Sequence, residues 1–147
     1  FIGLDYYPVD ANFQLIGTFT KSKGKKFKMP TSTERTPKYR RYGYIDFTFN
    51  GEVQRLTVYQ NISLSKQPEF TDQLFLPFRD LTSKTSTYGG GRYLDLKIPE
   101  GSEISLDFNL AYNPYCAYSI RYSCPIPPPE NTLEISIEAG EKYSGSH

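Results

Sequence analysis

The sequence predicts an all-β fold, either an antiparallel β-sandwich or a partly closed β-barrel, built from hairpins with little helix. The chain contains 13 Tyr and 10 Phe but only one Met and no Trp, and aromatic residues favour strands. It also contains 11 Gly and 11 Pro, which are typical of turns. No stretch of about a dozen residues repeats its apolar positions with the period of an amphipathic helix.

The first predicted hairpin runs from Tyr42 to Gln60. Apolar and polar residues alternate as far as Asn50-Gly51, and a segment rich in Val, Thr and Tyr follows. Asn-Gly is the strongest two-residue hairpin signal, because both residues tolerate a positive φ. We therefore expect two strands joined by a tight turn at Gly51.

A second hairpin is predicted from Arg92 to Asn109. Leu and Ile alternate on both sides of Pro99-Glu100-Gly101-Ser102, a segment with turn composition. In such a hairpin Arg92 and Asn109 would be neighbours across the ladder. The two hairpins resemble each other about fifty residues apart, which is consistent with a decayed duplication or with convergence of hairpin patterns.

Further segments complete the predicted sheet. Strands are expected at Phe13–Thr20, Lys25–Met29, Gln73–Phe78, Leu133–Ala139 and Tyr115–Tyr122, a short helical turn at Asp10–Phe13, and an exposed connection at Ile62–Thr71. The length predicts one domain over residues 1–147, with enough core to fold without metals.

Charge and hydropathy exclude several classes of partner. The net charge is +1, so the total charge predicts neither a nucleic acid nor another polyanion as partner. The apolar runs are too short for a transmembrane segment. Nine of the basic residues, however, lie between Lys21 and Arg41, against the single acid Glu34. This stretch indicates either a site for an anionic ligand or a solvated hairpin whose lysines protect an edge strand.

The only histidine is His147, the last residue. Its position argues against Ser-His-Asp and Cys-His catalytic groups and against histidine-based zinc sites. Acid–base chemistry would therefore depend on carboxylates, Tyr, Cys or Lys. We expect no metal and no organic cofactor.

The two cysteines, Cys116 and Cys124, are eight residues apart, too far for a Cys-x-x-Cys motif. On one continuous strand they could not meet, so a disulfide requires the chain to reverse near Ile120. A disulfide, two inert buried thiols and one reactive thiolate near Arg121 or Arg92 are all compatible with the sequence.

A succession of motifs marks the second half of the chain. It reads LPFRD at a strand end, TYGGGRY before a strand, then LDFNLAYNPYCAY, CPIPPPEN and AGEK. The glycine run is not a phosphate-binding P-loop, since neither Gly-Lys-Ser/Thr nor a helix follows it; it indicates a close backbone approach or a positive φ.

These motifs, together with the opening GLDYYPVD and the PTST segment, resemble the bacterial family known as domain of unknown function 1684. The resemblance covers nearly the whole chain and implies no established activity. Full-length members usually carry a further N-terminal segment, so it also implies that this chain lacks one. The compartment stays open, with an exported bacterial protein (periplasmic or cell-surface) favoured.

Polar side chains at predicted strand ends define a candidate site, because strand ends form the mouth of a sandwich or barrel. They are Arg79, Asp80, Tyr88, Arg92, Asp107, Asn109, Tyr112, Asn113, Cys116, Tyr118, Glu130 and Asn131. One interpretation is a pocket in which arginine binds a carboxylate or phosphate. The other is an Arg–Asp network that holds loops together.

Three functions are consistent with this rim. The one we favour is binding of a small polar or anionic ligand, beneath a polyproline-like segment that begins at Cys124. A hydrolase or lyase would use Cys116, or a carboxylate pair of Glu130 with Asp107 or Asp80. The third is a structural or interaction module without a ligand. The catalytic residues, the ligand and the oligomeric state are not determined by the sequence.

Overall fold

The computed structural model describes residues 5–119 and 121–144, which form an antiparallel sheet curled into a half-barrel. The strands are β1 Gln14–Lys21, β2 Lys26–Lys28, β3 Lys38–Phe49, β4 Glu52–Asn61, β5 Gln73–Phe78, β6 Arg92–Lys97 and β7 Glu103–Asp107. Their order in the sheet is β6-β5-β4-β3-β1-β7, and β2 also pairs with β3. The predicted all-β fold is therefore confirmed.

Helical structure in the described residues is limited to short segments before, between and after the strands. One α-helix, α1, spans Ile62–Ser65, and 3₁₀ turns span Ala11–Phe13, Pro68–Phe70, Phe108–Leu110, Tyr115–Ala117 and Pro129–Asn131. The predicted helical turn before β1 is confirmed. None of the helices formed by the described residues has the length and apolar character of a membrane-spanning helix.

The first predicted hairpin is confirmed as β3 and β4. Asn50 and Gly51 take φ values of 50° and 80°, as a two-residue turn with both residues at positive φ requires. The two strands then pair from Phe49 opposite Glu52 to Tyr39 opposite Asn61, with one irregularity between Arg41 and Gly43.

The second predicted hairpin is wrong. β6 pairs with β5 over Phe78 to Gln73, whereas β7 pairs with β1, at the other end of the strand order. Consequently Arg92 and Asn109 are not ladder partners. Gly101 does not take a positive φ, so the segment between β6 and β7 does not require a tight turn and permits the two strands to separate.

Three other predicted strands, near β1, β2 and β5, are confirmed. The segments at Leu133–Ala139 and Tyr115–Tyr122 are not strands; the latter forms a 3₁₀ turn, and Ile120 lies outside the described residues. Leu133–Ala139 keeps the predicted alternation of burial, with Leu133 and Ile137 in the core. It bonds partly to side chains instead of to a continuous ladder, as described below.

The main core and a smaller apolar cluster occupy opposite faces of the sheet. Val58 belongs to the main core, whereas Tyr59 packs with Met29 and Tyr39 in the smaller cluster. Successive strand residues point to opposite faces, so the smaller cluster covers the other side of β3 and β4. Residues 125–129, here called the proline strap, run past this second face.

Candidate functional site

Arg92, at the start of β6, holds the C-terminal segment (residues 132–144) to the sheet. It is 1% exposed, and its guanidinium donates to the carbonyl oxygens of Ala139, of Ile137 at 3.0 Å and of Glu141 at 3.3 Å. The residue before it, Gly91, has a φ of 94°, and a Cβ atom added there would lie 2.7 Å from the backbone oxygen of Phe78. Gly91 therefore has both features predicted for the glycine run, a positive φ and a close approach to another backbone segment.

Asp80, two residues beyond β5, pairs with Arg92 at 3.6 Å, and both side chains are 1% exposed. Its carboxylate also accepts from the Thr82 hydroxyl and, at 2.6 Å, from the Ile137 amide. Burial lowers the pKa of Arg92, while Asp80 opposes that change. This arrangement is the Arg–Asp network that the sequence offered as one interpretation of the rim.

Asn131 lies fully buried between β4 and β5, where the ladder is interrupted. Its amide accepts from Thr57 N and donates to Thr57 O and Pro77 O, each at 2.8 Å. Pro77 has no N–H to donate to β4, so the Asn131 side chain supplies the hydrogen bonds that a neighbouring strand would otherwise make.

Glu141 is a buried carboxylate that the sequence interpretation did not place in the site. It accepts from the backbone N–H of Asn113 at 2.8 Å and from the Tyr118 hydroxyl. Partial desolvation of the Tyr118 hydroxyl, followed by this hydrogen bond, raises its pKa to about 12. The AGEK motif around Glu141 was the available signal, but nothing in its composition indicates that the glutamate is buried.

Asp107 and Asn109 serve the other end of the sheet. Asp107 caps the 3₁₀ turn after β7 by accepting from Asn109 N at 3.0 Å, and Asn109 bonds the backbone of Asp10 at both its N–H and its carbonyl. These two residues therefore fasten the segment before β1.

Arg79 contacts the nearby glycine run, and Tyr88 contacts the C-terminal segment. Arg79 donates to Gly89 O at 3.2 Å, and the Tyr88 ring packs edge-on against Tyr143 at 5.1 Å. The described part of the chain thus divides the predicted rim into separate groups. Ligand binding by these residues stays a prediction.

Tyr112 lines a cavity of about 210 Å³ on the second face of the sheet. Its hydroxyl donates to Asp95 at 2.7 Å. Burial raises the pKa of Asp95, and burial with the nearby carboxylate raises the pKa of Tyr112.

Cys116 and Cys124 form a disulfide with Cα atoms 6.2 Å apart. The 3₁₀ turn at Tyr115–Ala117 begins the reversal of the chain. The bridge lies beside the proline strap, whose position is fixed by Tyr93 donating to Pro125 O and by Ile126 donating to Pro30 O at 2.9 Å. It leaves no thiolate for the cysteine-based chemistry considered from the sequence.

The proline strap and the basic stretch together form a larger cavity, here called the strap cavity, of about 440 Å³. Its walls are Gly24, Lys25, Phe27, Pro30, Arg41, Tyr59, Ile126, Pro127, Pro128, Pro129 and Glu130. Of the predicted rim residues, only Glu130 lines it. The lining is mostly apolar, with two cations and one carboxylate.

Arg41 and Glu130 give the strap cavity its polar groups. Arg41 donates through Nε to Ser22 O at 2.9 Å and through Nη2 to Ser22 Oγ; within the described residues its Nη1 has no acceptor. Glu130 accepts from the Tyr59 hydroxyl at 2.5 Å, and burial with this carboxylate raises the pKa of Tyr59. The signals for this site were the lysine-rich stretch and the proline run, but their proximity is a tertiary feature.

No group of three or more His, Cys, Asp or Glu side chains in residues 5–119 and 121–144 is arranged to hold a metal ion. His147 lies outside the described residues.

Comparisons with known proteins agree with the resemblance seen in the motifs. The family model described as "Protein of unknown function (DUF1684)" matches residues 1–142. An uncharacterized protein of Haloarcula marismortui, solved by solution NMR, is 36% identical with a TM-score of 0.77, over 100% of this chain and 80% of that one. No curated protein matches the chain. A family match over this length shows that the chain belongs to the DUF1684 family of proteins of unknown function.

Proposed function

We propose that this protein binds a small organic anion in the strap cavity. The observation that supports this most directly is a concave site of about 440 Å³ in which apolar walls surround two cations and one carboxylate. Ligand pockets in proteins have this size and character, a mostly apolar lining with a few convergent polar groups.

The polar groups define the class of ligand. Arg41 Nη1 and the Lys25 ammonium would bind a carboxylate or a phosphate, because guanidinium and ammonium groups are the usual partners of such anions. Phe27, Ile126 and the prolines would contact a flat or apolar body. Glu130 accepts hydrogen bonds only, so the far end of the ligand would carry a hydroxyl or an amine.

The proline strap makes the site rigid. Proline has a fixed φ and little conformational entropy to lose on binding, and both Pro125 and Ile126 are tied to the domain by hydrogen bonds. A preorganised wall lowers the entropic cost of holding a ligand. Of the three functions considered from the sequence, ligand binding is thus the one that this geometry supports, at a different place on the domain.

Native mass spectrometry of the protein purified from its own host tests the proposal. We expect a retained small molecule in the wild-type protein and its loss in Arg41→Gln. The matched control is Arg55→Gln, which removes the same charge from an exposed arginine on β4 that pairs with Asp46. Retention of the same molecule by Arg41→Gln, or its loss from both variants, would refute this site.

A further inference from the structure

Four cations share one face of β2 and β3, on the side opposite the strap cavity. The register places Lys26 opposite Arg40 and Lys28 opposite Lys38, and strand alternation turns all four away from Phe27 and Tyr39. Cross-strand partners lie about 5 Å apart and residues two apart on one strand about 7 Å apart. We call these four residues the basic face.

No carboxylate in the described parts of the chain neutralises the basic face. The ion pairs among the described residues are Arg55 with Asp46 and Arg92 with Asp80, and neither involves the basic face. Like charges directly opposite each other destabilise a β-ladder. In addition, Arg40 Nε is buried and has no hydrogen-bond partner, so a donor that water reaches poorly is left unpaired.

A cavity of about 350 Å³ continues the basic face at the end of the sheet. Arg35, Lys38 and Lys66 line it together with residues of α1, and its lining contains no acidic residue. Lys38 therefore belongs both to the basic face and to this cavity. The two features form one cationic surface with six positive side chains.

Protection of an edge strand does not explain this surface. Lysines on an exposed edge prevent pairing with other chains, and Lys26 and Lys28 on the short β2 fit that role. Lys38 and Arg40, however, lie on β3, which pairs with β4 on its other side. Charges placed on an inner strand do nothing for the edge, so they need another reason.

We infer that the basic face binds a condensed phosphate chain, the class that includes inorganic triphosphate and longer polyphosphates. Such a ligand carries several negative charges on a compact body, so positive side chains alone can bind it. None of the residues that form the basic face or line the adjoining cavity is among the large apolar side chains that the structure shows exposed, which are Tyr6, Val9, Ile16, Val53, Leu81, Leu110, Tyr115, Tyr118, Tyr122 and Ile126. Within the described residues, the surface therefore offers no exposed aromatic ring on which bases could stack. Its apolar residues Ile62 and Leu64 are half-buried in the cavity lining and do not project as a wedge for a bilayer.

The test is calorimetric titration of the whole protein with inorganic triphosphate at about 50 mM salt. We expect binding that weakens about 10- to 100-fold between roughly 50 and 200 mM salt, because counterions are displaced at several contacts. Lys26→Gln/Lys38→Gln should lose at least about tenfold in affinity. The control Lys84→Gln/Lys97→Gln removes the same charge from exposed lysines elsewhere and should lose less than about twofold.

Arg41→Gln separates this site from the strap cavity, since it should leave triphosphate binding unchanged. Unfolding midpoints of both double variants show whether they are folded. The inference is overturned if triphosphate does not bind at low salt, or if the control loses as much affinity as the double variant. It is equally overturned if a single-stranded oligonucleotide or phosphatidylserine vesicles bind as tightly as the phosphate chain.

Discussion

The two segments predicted as hairpins have the same alternation of apolar residues but different outcomes. Residues 42–60 fold back on themselves as β3 and β4, while β6 and β7 lie at opposite ends of the strand order. The difference lies in the turns. Asn50-Gly51 takes two positive φ values that define a tight reversal, whereas Gly101 has none.

Alternation therefore indicates which residues face the core, and only the turn chemistry indicates which strands pair. β6 pairs with β5 and not with β7. Its first residue, Arg92, binds the C-terminal segment. One part of the molecule is held by a local turn and a continuous ladder. The other is held by buried polar side chains that replace a ladder, and the two should respond differently to substitution.

The largest effect is expected for Asp80→Ala. It leaves the Arg92 guanidinium buried without its carboxylate, which costs about 3–5 kcal/mol when one partner of a buried pair is removed. Urea unfolding measures the change. Asp46→Ala breaks the exposed pair with Arg55 in the first hairpin and should change the unfolding free energy little; equal losses in both variants would remove the contrast between the two regions.

Asn131→Ala should destabilise by about 2–4 kcal/mol, because Thr57 N–H, Thr57 C=O and Pro77 C=O lose their partners inside the protein. Hydrogen exchange at the Thr57 amide should accelerate together with this loss. Asn12→Ala, at an exposed asparagine, is the control and should be close to neutral. An unchanged Thr57 amide would show that Asn131 does not bridge β4 and β5.

Replacing both cysteines, Cys116→Ser with Cys124→Ser, should cost about 2–3 kcal/mol, the value for opening a loop of roughly nine residues. The wild-type protein should fall to the same stability in reductant, and the variant should not respond to reductant at all. Two free thiols in the unreduced, denatured wild-type protein would contradict the bridge.

The smallest effect is expected in a direct comparison of the turn glycines Gly51 and Gly101. Gly51→Val should destabilise by about 1 kcal/mol or more, since valine is strained at a φ of 80°. Gly101→Val meets no atoms within 4 Å and no positive φ, so it should stay within about 0.5 kcal/mol of wild type. Equal costs at the two glycines would mean that backbone strain does not distinguish the turns.

The sequence could predict the features that depend on neighbours along the chain. These include the all-β class, β3 and β4 with their turn, and the alternation of burial at Leu133–Ala139. It could not predict pairings that depend on distant residues. Leu133–Ala139 has the pattern of a strand, but Asp80 and Arg92 occupy the backbone groups of Ile137 and Ala139. Pro77 in turn leaves a place for Asn131 between two strands.

The candidate site likewise depends on contacts between distant residues, which the sequence could not predict. Arg92 and Asp80 belong to the predicted rim as polar residues at strand ends, and their burial with mutual partners favours a structural role. In the sequence, Arg41 and Lys25 are only members of a basic stretch, because nothing local shows that the proline strap passes over them. Glu130 is the residue common to the predicted rim and the strap cavity.

We propose that a ligand binds in the strap cavity, whereas the buried Arg92 network maintains the fold. Amide chemical-shift mapping by NMR with 4-aminobenzoate, which combines a carboxylate, a flat ring and an amine, tests it most directly. We expect saturable shifts concentrated at residues 24–30, 41, 59 and 126–130, and their loss in Arg41→Gln. Shifts concentrated around Arg79, Asp80 and Arg92, with the strap cavity unaffected, would contradict ligand binding in the strap cavity.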